Sequence, residues 1–142
     1  AETAEVAIQA SLTGHLVLST LHTNDAASAL TRLVDLGVAP FLAASTVQAV
    51  LAQRLVRRLC TDCRGAGCRH CLSTGFRGRV GIFELLVVDD EVRRGIHDGA
   101  AAHELTAVAR RRGMQTLADS GAALVASGVT TAEEVARVTR EQ

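Results

Sequence analysis

Cys60, Cys63, Cys68 and Cys71 are the only cysteines of this chain, and they fall within one short stretch. They make two Cys-x-x-Cys pairs joined by Arg64–Gly65–Ala66–Gly67. A pair of thiolates two residues apart grips one metal ion from a tight turn. Two such pairs complete a tetrahedral Cys₄ site, the arrangement that suits zinc. Gly65 and Gly67 give the backbone the freedom to fold one pair over the other. A disulfide framework usually spreads its cysteines along the chain to staple distant loops. A dithiol redox centre needs one Cys-x-x-Cys pair, and here there are two. Four thiolates leave no open position for water, so the expected zinc is structural and not catalytic. His70 is an alternative ligand; its ordinary place is facing solvent within the second knuckle.

The rest of the composition narrows the chemistry. The chain has 142 residues, 48% of them hydrophobic, with three Phe and no Trp or Tyr. The core is therefore aliphatic, as in helices packed closely on a small sheet. Net charge is zero, which gives no overall electrostatic case for nucleic acid or an anionic membrane. No apolar run approaches the length needed to span a bilayer, and a soluble, intracellular chain is expected. All fifteen basic residues are arginine. Without lysine, Schiff-base chemistry and the phosphate-binding lysine of a P-loop are both excluded from this chain.

The elements that must position these residues follow from patterning. A first helix is expected over Ala1–Thr13, with Glu2 and Glu5 at the positive end of its dipole and Gly14 ending it. It opens without a preceding cap or strand, as in a piece of something longer. Leu16–Leu21 is a nearly continuous apolar run and predicts a buried parallel strand. It feeds His22–Thr23–Asn24–Asp25 and a helix over Ala26–Leu36, with Thr23 or Asn24 as N-cap. Pro40 opens a helix to about Gln53. Arg54–Leu59 predicts a strand, with Arg57 and Arg58 on a solvated face. Arg77–Val88 predicts the strongest strand of the second half. The cysteine loop thus sits in a hairpin-like connection, where a metal would replace missing apolar anchors. Glu84 lies among apolar residues and calls for a partner such as Arg79. From Asp89 onward the pattern is helical: one helix to Asp98 with Asp89 or Asp90 as its cap, one over Ala101–Arg112, and one over Leu117–Ser127. The last opens on the capping box Thr131–Ala132–Glu133–Glu134 and runs to the terminus. No internal repeat is evident.

Outside the cysteines, His15 and His22 flank the Leu16–Leu21 run. His22, at a strand end beside Thr23 and Asn24, occupies the position where α/β proteins place ligands. A histidine hydrogen-bonded at a turn is the plainer alternative. His97 and His103 fall in helical surface contexts.

Gly14–His15–Leu16–Val17–Leu18–Ser19–Thr20–Leu21–His22–Thr23–Asn24–Asp25 resembles the histidine box of the ATPases that power type II secretion and type IV pilus assembly. Glu2–Thr3–Ala4 is similar to the residues that follow the Walker B region there. Ala52–Cys60 resembles the approach to that family's tetracysteine zinc element, and Gly78–Leu85 the segment after it. Thr130–Val135 and Val138–Thr139 resemble its C-terminal end. Asp35–Leu42 looks closest to the type II secretion branch. The resemblance implies an α/β fold: the C-terminal part of a RecA-like three-layer core, with a Cys₄ zinc loop and a C-terminal helical bundle. It implies residues 1–59 as core, 60–76 as zinc loop, and 77–142 as a strand with a helical subdomain. It places His22 near the nucleotide γ-phosphate, supported by His15, and zinc on Cys60, Cys63, Cys68 and Cys71. It further implies ATP and magnesium in the full-length protein, and a homo-hexamer at the cytoplasmic face of the inner membrane. That hexamer would work with membrane platform proteins to assemble a pseudopilus, or a type IV pilus, without nucleic acid and without a transmembrane segment.

Two features depart from that pattern. The Walker A lysine and the Walker B acids are missing, so this chain is expected not to hydrolyse ATP alone. The loop between the cysteine pairs is shorter than in many relatives. Two readings of other classes stand beside the ATPase. Cys60-x-x-Cys63-x-Gly65-x-Gly67 also resembles one repeat of the zinc region of J-domain-type chaperones, and a zinc-stabilised adaptor with no nucleotide role is the third.

Overall fold

A computed structural model of the chain describes residues 2–139. The fold is mixed α/β. In order come α1 (Glu2–Leu12), α2 (Ala26–Asp35), α3 (Pro40–Thr46), β1 (Ala49–Leu59), a 3₁₀ turn at Arg69–Cys71, and β2 (Phe76–Val87). Four helices follow: α4 (Asp90–His97), α5 (Ala102–Arg111), α6 (Leu117–Ala126) and α7 (Ala132–Thr139). The ends of the first and last expected helices, Ala1 and the terminus beyond Thr139, lie outside the described residues. Contacts divide the chain into two units. One holds the chain through Ala52 together with Leu85–Met114; the other holds Gln53–Glu84 together with the chain from Gln115.

β1 and β2 form an open two-stranded sheet. The Gln48 carbonyl accepts from Val88 N–H at 2.9 Å, and the Gly75 carbonyl accepts from Cys60 N–H at 2.9 Å. The start of β1 therefore meets the end of β2, and the pair is antiparallel. Between those bonds β2 spends one residue more than β1, as their lengths of 12 and 11 residues also show. Gly78 in β2 has φ 77°, the left-handed backbone that a one-residue bulge uses.

The first unit has a continuous aliphatic core. Ala26, Ala27, Leu30, Ala43, Leu86, Val92, Ile96 and Leu105 are buried in one cluster with Ile8 and Val38. Small residues let α2, α3, α4 and α5 approach closely, which is how a chain without large aromatics fills its interior. Asp25 caps α2, its carboxylate accepting from Ser28 N–H at 2.7 Å. The cap is thus one residue beyond Asn24 and two beyond Thr23, the caps expected from sequence. Asp89 caps α4, accepting from Glu91 and Val92 at 3.0 Å.

Two sequence expectations fail here. Leu16–Leu21 is not a strand: it has no regular secondary structure, and Leu16 and Leu18 are each 88% exposed. A strand exists only by pairing its backbone, and among the described residues the only sheet is β1–β2. The helix from Pro40 stops at Thr46, where Val47 turns extended at ψ 125°, and Ala49–Gln53 belongs to β1. Val47, Val50 and Leu51 suit a strand as well as a helix, and antiparallel pairing decides between them.

The second unit is held differently. Its buried aliphatic residues are few: Val56 and Ile82 from the strands, Leu117 and Val135 from α6 and α7. Polar links do much of the joining. Leu59 N–H donates to the Val129 carbonyl at 2.8 Å, and Thr130 Oγ1 donates to the Arg57 carbonyl at 2.8 Å. Buried Glu84 accepts from Leu117 N–H at 3.2 Å, at the start of α6. Gly121 lets α7 approach α6, since a Cβ there would lie 2.4 Å from Val135.

Candidate metal centre

The loop between β1 and β2 brings all four cysteine sulfurs within 4.8 Å of one another. Cys60 Sγ lies 3.8 Å from Cys68 Sγ, Cys63 3.7 Å from Cys71, and Cys68 3.8 Å from Cys71. A tetrahedral ion with metal–sulfur bonds of about 2.3 Å sets its ligands about 3.8 Å apart. The observed edges match that figure. They are far beyond a disulfide bond of about 2.05 Å, and all four cysteines are free thiols. The donor set therefore fits zinc in a closed, structural site. Such an ion would neutralise thiolate charge and cross-link the two ends of the loop.

The two knuckles share one plan, an eight-residue repeat that the sequence reading did not find. Relative to the second cysteine of each pair, left-handed φ occurs at the same three positions. These are Arg64, Gly65 and Gly67 in the first knuckle, and Leu72, Ser73 and Gly75 in the second. In each, the N–H four residues past the second cysteine donates to its sulfur: Gly67 to Cys63 and Gly75 to Cys71, both at 3.3 Å. Cys68 N–H adds a bond to Cys71 Sγ at 3.2 Å. These donors favour thiolates. The Cys68 N–H, joined by that of Gly75, brings the Cys71 thiol down to about 6 against the opposing effect of burial. Cys68 moves the other way, to about 11: a backbone bond at Cys71 draws it down, and burial with the neighbouring sulfurs outweighs that. Only glycine fits at position 75, where a Cβ would stand 2.5 Å from the Gly65 carbonyl oxygen.

His70 is not brought to the sulfurs. Its Nδ1 pairs with the Asp62 carboxylate across the loop, and both side chains are well exposed. The His70 hydrogen bond, foremost, lowers the Asp62 pKa.

The base of the loop is clasped by a group that sequence patterning placed elsewhere. Glu134 is buried at 2% exposure. It accepts from Arg57 Nη2 at 2.5 Å, from the Arg57 backbone N–H at 3.1 Å, and from Arg137 Nε and Nη2 at 3.0 Å. Hydrogen bonds from Arg57 and then Arg137 hold its carboxyl far below the ordinary carboxylate range. Arg57 also stacks on the Phe76 ring, 4.3 Å from its centroid, a favourable cation–π geometry. Arg57 is thus engaged, not merely solvated as its place in the strand suggested. Thr131 Oγ1 does cap Glu134 N–H at 3.3 Å, as the capping box predicts, while the carboxylate turns to the two arginines. A buried acid one turn from a cap, with an arginine in a strand, is the available sequence signal; their separation in the chain hides the pairing.

The histidines lie elsewhere. His15, exposed just past α1, is 3.0 Å from Thr13 Oγ1 through Nδ1. His22 is exposed shortly before α2. They flank the Leu16–Leu21 segment in the chain.

A mixed α/β chain with a tetrathiol loop in a β-hairpin, preceded by a histidine-flanked apolar run, defines a recognisable class. The chain belongs to the type II/IV secretion system protein family, whose family model matches residues 1–137. It is 58% identical to the type II secretion system protein HxcR of Pseudomonas aeruginosa, over 99% of this chain and 32% of that protein. It is 49% identical to the type II secretion system protein E of the same species, over 99% of this chain and 33% of the relative. It is 45% identical to the type IV pilus assembly ATPase PilB of Thermus thermophilus, over 94% of this chain and 18% of the relative. The chain thus spans about a third or less of the length of these relatives. Among solved structures it is similar to the pilus retraction motor PilT with bound ADP, with TM-score 0.75 and 27% identity over 99% of this chain and 37% of that one. It is also similar to the ATPase DotB of Legionella pneumophila, with TM-score 0.70 and 28% identity over 97% and 35%. Among the described residues, no helix is long and apolar enough to cross a membrane.

Proposed function

We propose that this chain is the C-terminal part of a hexameric secretion ATPase that powers pseudopilus assembly in type II secretion. The observation that carries the reading is the family match over residues 1–137, joined to the 58% identity with a type II secretion protein. A type IV pilus assembly ATPase is the second reading; its support is the 45% identity with PilB. In this proposal residues 1–59 belong to a RecA-like core. Leu16–Leu21 then becomes a strand once neighbouring strands of that core pair with it, which accounts for apolar side chains standing in solvent here. Residues 60–76 hold zinc, and 77–142 supply a strand and a helical subdomain.

His22, with His15 behind it, positions the γ-phosphate of ATP bound with magnesium by the full-length protein. Cys60, Cys63, Cys68 and Cys71 hold the structural zinc. The working assembly sits at the cytoplasmic face of the inner membrane beside its platform proteins, as a peripheral protein. The phosphate-binding lysine must come from outside these residues, because this chain has none.

Two assays test the reading together. The isolated chain is expected to show no ATP hydrolysis above background, and turnover there would overturn the assignment of roles. In the full-length protein, His22→Ala is expected to lower hydrolysis about tenfold or more, with zinc content unchanged. Wild-type turnover in that variant would remove His22 from the nucleotide site.

A further inference from the structure

Phe41 is one of three aromatic residues in the chain, and it stands outside the core, 58% exposed. A lone exposed apolar residue is ordinary. This one forms a wall of an open groove of about 430 Å³ between α3 and α4, wholly within the first unit. Ala44, buried and one turn further along α3, lines the groove on the same face. Its small side chain leaves room above it for an apolar group.

The opposite wall is α4. Asp90, Arg93, Arg94 and His97 line it, at the i, i+3, i+4, i+7 spacing of one helix face. Charge is graded along that wall, from one carboxylate at its start to two guanidiniums further on. Arg94 Nε donates to the Asp90 carbonyl at 3.2 Å, which fixes its stem. Its terminal nitrogens have no partner among the described residues. Arg93 Nη2 donates to the Val88 carbonyl at 3.2 Å, while its Nε is enclosed without an acceptor. A buried donor left unpaired destabilises the fold that contains it. Asp90 does not supply the acceptor: its carboxylate is exposed and 3.9 Å from Arg93 Nη1. His97 is engaged by Asp98 at 3.3 Å. The wall thus has guanidinium donors to spare and faces an apolar wall across the groove.

We propose that the α3–α4 groove is a docking site for an acidic amphipathic helix of a partner protein. An apolar side chain of that helix packs on Phe41 over Ala44, and a carboxylate one turn away meets Arg93 and Arg94. Helix-in-groove recognition uses this pairing of an apolar anchor with flanking charge. Asp90 at the start of the wall disfavours a uniform polyanion. The groove is open along its length, so a small anion would stay largely in water, whereas small-molecule sites bury most of their ligand. The proposal goes beyond the ATPase reading and uses no residue of its nucleotide or metal sites. Its test contains no nucleotide, so its failure leaves that reading standing.

The experiment is an amide NMR titration of the full chain, loaded with zinc, with a synthetic alanine-based helical peptide. The peptide carries Leu and Glu at i, i+4 spacing on one face; a control peptide carries Lys in place of Glu. The Glu peptide is expected to shift amides of α3 and of the α4 turn from Arg93 to His97, and to release as salt rises. The Lys peptide is expected to leave them unmoved. Phe41→Ala should weaken binding of the Glu peptide about tenfold. Arg94→Glu should weaken it about tenfold and let the chain accept the Lys peptide instead. Phe41 and Arg94 are both exposed, and amides outside the groove must match wild type in each variant. If Arg94→Glu fails that check, Arg94→Gln is read in its place for the weakening alone. Four results would overturn the proposal. The Glu peptide shifts nothing locally at millimolar concentration, or the Lys peptide binds wild type equally well. Acetate at the same carboxylate concentration reproduces the shifts, which would leave a bare anion site. Finally, the same amides shift with chain concentration in the absence of peptide, which would assign the groove to a second copy of the chain.

Discussion

Gly75 and Gly78 both have left-handed backbones, at φ 76° and 77°, and the difference between them isolates what holds the metal loop. A Cβ at Gly78 meets nothing within 4 Å, whereas one at Gly75 meets the Gly65 carbonyl oxygen at 2.5 Å. Gly78→Ala should therefore cost only the left-handed penalty, about 1 kcal/mol. Gly75→Ala should cost more than that and lower zinc affinity, because the Gly75 N–H bonded to Cys71 Sγ must move. Thermal melts and zinc titration of the two variants check this; equal losses would show that backbone conformation alone matters at position 75. At this scale the spacing of the cysteines reveals the ligand set, because two residues between thiols is a local geometric requirement. The N–H donors to sulfur are equally local. They stay hidden because any residue but proline supplies an N–H, and Leu72 and Ser73 do not advertise positive φ as glycine does.

Elements were legible where capping and helical spacing agree, as with Asp89 before α4, and illegible where pairing decides. The exposed Leu16–Leu21 segment and the conversion of the second half of the Pro40 helix into β1 share that cause: a strand's stability resides in its neighbour. The clasp of β1 by α7 is non-local in the same way, joining residues 57 and 134. Glu134 has a folded pKa far below its unfolded value, through hydrogen bonds from Arg57 and Arg137. The stabilisation it gives is present in full above the unfolded carboxyl pKa of about 4.3. It is lost as pH falls below that toward the folded value, because the unfolded state then binds the proton more readily. Glu134→Gln removes the charge and should cost about 1–3 kcal/mol at pH 7. The stability gap between wild type and variant should narrow steadily as urea denaturation is repeated below that carboxyl pKa. Comparing the two proteins at each pH cancels any common loss of zinc. A gap that stays constant with pH would assign the effect to shape instead of charge.

Over the whole molecule, stability is unevenly founded, and this yields a prediction about metal removal. The continuous aliphatic cluster, with Leu30, Leu86, Val92, Ile96 and Leu105 buried, belongs entirely to the first unit. The second unit buries Val56, Ile82, Leu117 and Val135 and relies on the tetrathiol loop and the Glu134 clasp. Apolar burial contributes about 25 cal/mol per Å² and does not depend on the metal, whereas a closed Cys₄ site couples its binding free energy directly to folding. Chelation should therefore loosen the second unit first. In hydrogen-exchange mass spectrometry, removing zinc with a strong chelator should deprotect the amides of Leu59 and Cys60, which donate to Val129 and Gly75. Amides in α2 and α4 of the first unit should keep their protection. Restoring one equivalent of zinc should restore the lost protection, and magnesium should not, since thiolates select soft ions. Loss of protection in both units at one chelator concentration would instead show a single cooperative fold, and no loss in either would remove the metal from the stability of this chain.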